Sequence, residues 1–261
     1  MMNSKMRKPL GHTIWFKIIL TVLIFLPCYT QVGYSSANTT NVIAAVLSHP
    51  MVTSIQWLLP IAKWLLLAFV IVSIIYEGFS KRILLGYYAF ILLIVGVFQN
   101  IAFTEQYGFV WLIGNTLVQF TVLGYCAFDI IKDKTVIAKE NLNKKRLWVI
   151  APMILAFLMP YAINNENHVF PAFTPSVLFN EAGVTYCMIT PIIIGILLLF
   201  SKGVHKPTLS VISYVGFLFG LLNMMTWFGI QTQNWWMGVL HLPLITLSFY
   251  GLLVAHSEKR Y

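Results

Sequence analysis

The chain has 261 residues, of which 59% are hydrophobic and only 10% charged, against roughly 25% charged in a soluble globular domain. No soluble core absorbs that much apolar surface, which excludes a soluble enzyme or adaptor domain. The formal net charge of +9 would suit nucleic acid, but the basic residues are scattered among short loops. The lipid bilayer, with its anionic headgroups, is the expected partner instead.

A spanning helix needs about 20 apolar residues. Stretches of that order recur at 13–33, 55–76, 82–103, 107–131, 147–163, 177–200, 208–231 and 236–256. The expected fold is therefore all-α: a polytopic integral membrane helical bundle of about eight transmembrane helices, a single membrane domain over 1–261.

The first stretch follows Lys5, Arg7 and Lys8 and carries Lys17 near its start. Its apolar run from Ile18 to Pro27, followed by Ser35, Ser36 and Ala37, also resembles a signal peptide with a cleavage site. Cleavage within 1–37 would leave seven spans. Asn38-Thr39-Thr40 is a glycosylation sequon, meaningful in a eukaryotic source. The 34–54 segment that follows lacks any Lys or Arg and reads as an outer loop.

The second stretch contains Lys63, a membrane-depth charge that costs about 2.5–3.5 kcal/mol even on the insertion scale. The third brings Gly96 and Asn100 to one face, and the fourth does the same for Asn115 and Gln119. Asp129, near the inner end of the fourth, is expected to reach the headgroups, as is Lys17.

The basic segment 132–146, KDKTVIAKENLNKKR, divides the stretches four and four. It marks halves 1–134 and 147–261. Trp15 precedes Pro27 by the same interval as Trp148 precedes Pro160, and Pro50, Lys81 and Trp111 match Pro175, Lys206 and Trp236 at a second offset. A parallel 4+4 repeat is the architecture this suggests. Beyond the joint, Glu181 opens the sixth stretch. Ser213, Gly216, Gly220 and Asn223 form a small and polar stripe on the seventh, and His241 lies inside the eighth.

Fifteen of the 17 Lys and Arg residues fall in alternate segments, while 34–54, 104–106, 164–176 and 232–235 hold none. Basic loops stay cytoplasmic, so both termini and the 132–146 loop are expected inside, in a cell membrane. Trp15, Trp57, Trp111, Trp148, Trp227, Trp235 and Trp236 lie near predicted ends as interfacial anchors.

Nucleotide, dinucleotide, zinc-protease and nucleophile-elbow motifs are missing from the sequence. Cys28, Cys126 and Cys187 form no CxxC pair, and one histidine well inside a span makes no haem or metal site. The expectation is no cofactor, no metal and no nucleic acid partner, with an enzyme less favoured than a binding protein. Polar residues inside spans face the bundle interior or a water-filled cavity, and Lys63, Asn100, Asn115, Gln119, Glu181, Asn223 and His241 all collect in the outer half. They define the candidate ligand pocket of a small-solute permease or ligand-binding membrane protein, open to the outside. The alternatives are a membrane-embedded enzyme acting on a lipid or amphiphile, with Glu181 or His241 as general acid or base, and a non-catalytic subunit of a membrane assembly or oligomer.

Overall fold

The computed structural model describes residues 9–55, 57–77, 80–164, 166 and 168–257. Lys5, Arg7, Lys8, Lys259 and Arg260, used above for orientation, lie outside them. The described chain is mostly helical: α1 Ile14–Ile24, α2 Thr39–Ser48, α3 Leu58–Ile75, α4 Ser80–Phe98, α5 Ile113–Ile131, α6 Ile150–Leu158, α7 Tyr186–Leu199, α8 Lys206–Met225 and α9 Trp235–Ser257.

Three helical segments are long and apolar enough to cross a membrane: Leu58–Ile75, Lys206–Ile230 and Thr232–Ser257. A fourth arises if the pair Pro175–Val184 and Tyr186–Leu199, bent by 87°, counts as one broken span. This is fewer than the eight expected, and the reasons are local. Helix α1 ends at Ile24 after 11 residues, about 16 Å at 1.5 Å per residue, because Pro27 disfavours helical backbone just before it. Helix α6 ends at Leu158 because Met159, preceding Pro160, turns left-handed with φ 48°. Helix α5 is long enough, but Asn115, Gln119 and Asp129 dilute its apolar run.

Short strands take up what the sequence assigned to helix ends. Strands β1 Tyr29–Thr30, β2 Ile101–Thr104 and β3 Gly108–Trp111 form an antiparallel sheet in the order β1-β3-β2, with Ile101 opposite Trp111. Strands β4 Tyr161–Ile163 and β5 Val169–Pro171 form a second antiparallel pair. Helix α2, inside the segment read as a plain loop, packs Val42 and Val46 onto Ala102, Tyr107, Val110 and Leu112.

Helix α7 is the centre of the molecule, with every residue from Met188 to Leu199 buried. By contrast, α3 turns Ile61, Trp64, Leu65, Ile71 and Ile75 outward while Ala62, Lys63, Leu66, Val70 and Ser73 face in. An outward face this apolar needs a cover other than water. Leu92 and Leu198, which the sequence suggests face lipid, are buried instead, at 1% and 0% exposure.

Helices α8 and α9 meet through two reciprocal contacts. A Cβ placed on Gly216 would come 2.4 Å from Ser248 Oγ, and one on Gly251 would come 2.2 Å from Ser213 Oγ. Each Ser-x-x-Gly therefore sets its hydroxyl against the other helix's glycine, the close approach that small residues permit. Both hydroxyls are buried, and among the described residues neither has a hydrogen-bond partner.

Candidate functional site

The seven candidate residues sort into three separate groups and one isolated side chain. Lys63 sits on the buried stripe of α3, wholly shielded from solvent. Its ammonium donates to the Leu158 carbonyl at 3.3 Å, to Asn180 Oδ1 at 2.6 Å and to the Val177 carbonyl, and stands 4.9 Å from the centre of the Phe157 ring. Asn180 completes the knot by donating from Nδ2 to the carbonyls of Leu158 and Met159 at 2.9 and 3.1 Å. The left-handed turn at Met159 frees those carbonyls from the helix ladder. The segment 175–184 reaches α3 closely because residue 183 is glycine: a Cβ there would lie 2.2 Å from the Lys63 backbone nitrogen.

Glu181 is half-buried and accepts a hydrogen bond from the Tyr161 hydroxyl. Lys63 and Glu181 therefore come to one locality, yet the hydrogen-bonding partners of the ammonium are neutral oxygens, and no ion pair within 4.0 Å joins the two residues. Three or so oxygens around an ammonium are what a dry site requires to keep it charged.

The second group joins α4 to α5. Asn100 Nδ2 donates to Gln119 Oε1 and to the Gly96 carbonyl, both at 3.0 Å. Thr116 Oγ1 donates to the same carbonyl at 2.7 Å and accepts from Trp111 Nε1 at 2.9 Å. Gln99, next to Asn100, accepts from the Tyr186 backbone N–H at 3.0 Å and so ties α4 to the start of α7. Asn115, one turn before Gln119, is half-buried, and its side chain makes no hydrogen bond to another described residue.

The third group joins α7, α8 and α9. Asn223 Nδ2 donates to the Phe219 carbonyl at 2.8 Å and contacts Cys187 Sγ at 3.4 Å, while its Oδ1 accepts from Trp227 Nε1 at 3.2 Å. The Trp227 ring lies 6.2 Å from that of His241. His241 Nδ1 is 2.6 Å from the Met237 carbonyl. A carbonyl only accepts, so Nδ1 carries the proton and Nε2 is the nitrogen left with a lone pair.

Sequence reasoning missed Asn180, Tyr161 and Gln99, and it misread the opposite end of the bundle. Asp129 does not reach outward: it is fully buried, accepting from the Thr135 backbone N–H at 2.8 Å and from Thr135 Oγ1 at 2.7 Å, with His205 Nδ1 at 3.7 Å. Arg146 is buried there too, donating to the Leu198 carbonyl at 3.3 Å and to Ser201 Oγ. Lys17 lies 3.1 Å from His256 Nε2. Polar residues thus occupy both ends of the bundle.

Neither of two surface grooves, of about 800 and 380 Å³, is lined by any of the seven candidates. Among the described residues no three His, Cys, Asp or Glu side chains come together as a metal would require. A comparison with protein-family models, curated proteins and solved structures finds no match.

Proposed function

We propose that the chain is a multi-pass integral membrane protein of the cell membrane, its termini and its 132–146 loop cytoplasmic, that binds or passes a small solute. Its site lies beside the broken element 175–199. The observation that carries this reading is the break itself, an 87° bend between two apolar segments. Non-helical backbone at membrane depth is stable only where protein buries it or where it lines a cavity, and transporters place such breaks at their substrate sites. Glu181 is the charged ligand contact in this reading, with Tyr161 orienting it. Lys63 is a positioning residue that holds the broken segment, and His241 Nε2 and Asn115 are further polar contacts.

A duplicated origin is supported by element order. Each half has a short helix stopped by proline (Pro27, Pro160), then strand structure (β1 in the first, the β4–β5 pair in the second), and three longer helices. Helix α2 and the β2–β3 hairpin have no counterpart in the second half.

The assembly-subunit reading draws support from the bond between Asn100 Nδ2 and Gln119 Oε1, which commits one polar atom of each amide to holding the helices together. One experiment separates the two. With Cys28, Cys126 and Cys187 replaced, single cysteines at Glu181, Asn115 and His241 are exposed to a small impermeant thiol reagent from outside intact cells. Reaction above that of the outward apolar controls Ile71 and Leu93 is expected, with Phe173→Cys labelled and Lys139→Cys silent. Silence at all three polar positions in correctly folded protein overturns the pocket in favour of the assembly subunit. Labelling of Lys139→Cys overturns the orientation.

A further inference from the structure

We propose that the groove between α3 and α4 is a binding site for one anionic phospholipid, with an acyl chain along the groove and the phosphate at Arg82. It rests on the membrane reading alone and is independent of the solute site.

The groove holds about 800 Å³. Its walls are Leu65 and Val72 from α3 and Ile83 and Phe90 from α4, over a floor made by Phe69 and Tyr87, whose rings stack with centroids 4.8 Å apart. One position makes the groove rather than a packed seam. Gly86 sits in its wall, and a Cβ built there meets nothing within 4 Å, whereas the glycines at 183, 216 and 251 are filled to contact by the opposing element. The missing side chain at 86 is therefore not used for helix packing; it leaves the groove open at that point.

The ends of the groove differ in chemistry. Tyr76 and Arg82 close the end nearest the start of α4, and a basic residue there attracts anionic lipid. Arg82 is exposed and makes no hydrogen bond or ion pair with a described residue. Its guanidinium fork matches a phosphate in two parallel hydrogen bonds. The remainder of the groove is apolar and opens on the face that carries Leu65, Phe90 and Leu93, each at least 43% exposed. A single positive fork at one end of an apolar slot is the complement of a phosphate on a hydrocarbon chain.

The test uses the full chain extracted in non-ionic detergent and exchanged into nanodiscs of phosphatidylcholine, alone or mixed equally with phosphatidylglycerol. Native mass spectrometry after release counts the retained lipids. One phosphatidylglycerol retained several-fold in preference to phosphatidylcholine is expected. Arg82→Gln should abolish the preference, and Gly86→Leu, which fills the open space, should abolish retention of both lipids without lowering the unfolding midpoint. Equal retention of the two lipids by the wild type overturns the proposal. Undiminished retention in Gly86→Leu does so as well, as does conversion of a dimer to a monomer by that variant, which would assign the groove to a second copy. If Gly86→Leu fails to fold, Arg82→Gln decides. Recovery of the wild type from the membrane fraction tests the membrane reading separately.

Discussion

Lys63 is the residue where sequence and structure argue most directly with one another. Its position in an apolar stretch already requires partners, since an unpaired buried ammonium is untenable. Glu181 is the partner that charge alone suggests, because charge is visible in a string of letters and carbonyl direction is not. The partners found are two carbonyls and an amide oxygen, supplied by a left-handed turn and a broken helix that no periodicity announces. The expected energetics follow. Lys63→Met leaves the Val177 carbonyl without its side-chain donor, while the Leu158 carbonyl keeps Asn180 Nδ2 and Asn180 Oδ1 keeps the Ala182 N–H; one orphaned buried group costs about 1–3 kcal/mol. Asn180→Ala should destabilise comparably in detergent unfolding. Because the two share one knot, the double variant should lose less than the sum, by roughly 0.5–3 kcal/mol. The same cycle between Lys63→Met and Glu181→Gln should give a smaller coupling. A larger one would restore the ion pair as the main contact.

At the scale of elements, the helix stops carry a sequence signal that the apolar patterning overrode. Pro27 and Pro160 lie inside apolar stretches that hydropathy alone reads as continuous, and they truncate α1 and α6. The strand pairs were not legible, because β1 has two residues and its register is set by a hairpin more than 70 positions away. The stripe Ser213, Gly216, Gly220, Asn223 was read as a packing face, and α9 does pack there. Its mate Ser248-x-x-Gly251 carries the same pattern unnoticed, since one such motif means little until a partner helix is known. Gly216→Ala should drive a methyl group into Ser248 Oγ and lower stability by about 1–3 kcal/mol, as overpacking does. Ser248→Ala alone should be mild, because its hydroxyl has no partner to lose. Ser248→Gly should rescue Gly216→Ala, as unfolding midpoints of the three variants would establish. Failure of rescue would mean that the two helices meet elsewhere.

Over the whole molecule, the two ends of the bundle are held by different chemistry. At the end of the broken segment amides and carbonyls gather around one ammonium, with Glu181 nearby, while at the other end histidines stand among Lys17, Asp129 and Arg146. There the segment just before α1 is clasped: the His12 ring lies 4.8 Å from that of His256 on α9, with Lys17 of α1 beside them and the Lys206 backbone and His205 from the start of α8 facing in. Burial first, then His256 and Lys17, hold His12 at a pKa of about 4, below the ordinary 6.5. Above pH 6.5 the ring is neutral docked or free, so the clasp is unaffected. Between pH 6.5 and 4 the released segment takes up a proton that the docked ring refuses, and docking weakens as pH falls. The unfolding midpoint of the wild type should therefore drop more between pH 7.5 and 5 than that of His12→Gln. Equal drops would show that His12 does not govern the clasp. None of this was legible from sequence, where His12 and His256 stand 244 positions apart.

The knot at Lys63 also imposes an order of events on biosynthesis. Asn180 follows Lys63 by 117 positions, which at roughly 5–20 residues per second amounts to about 6–23 s of translation. The Leu158 carbonyl is made first, 95 positions after Lys63, and the knot is complete only once Val177 and Asn180 have followed, so the packing of α3 around its ammonium closes late in synthesis.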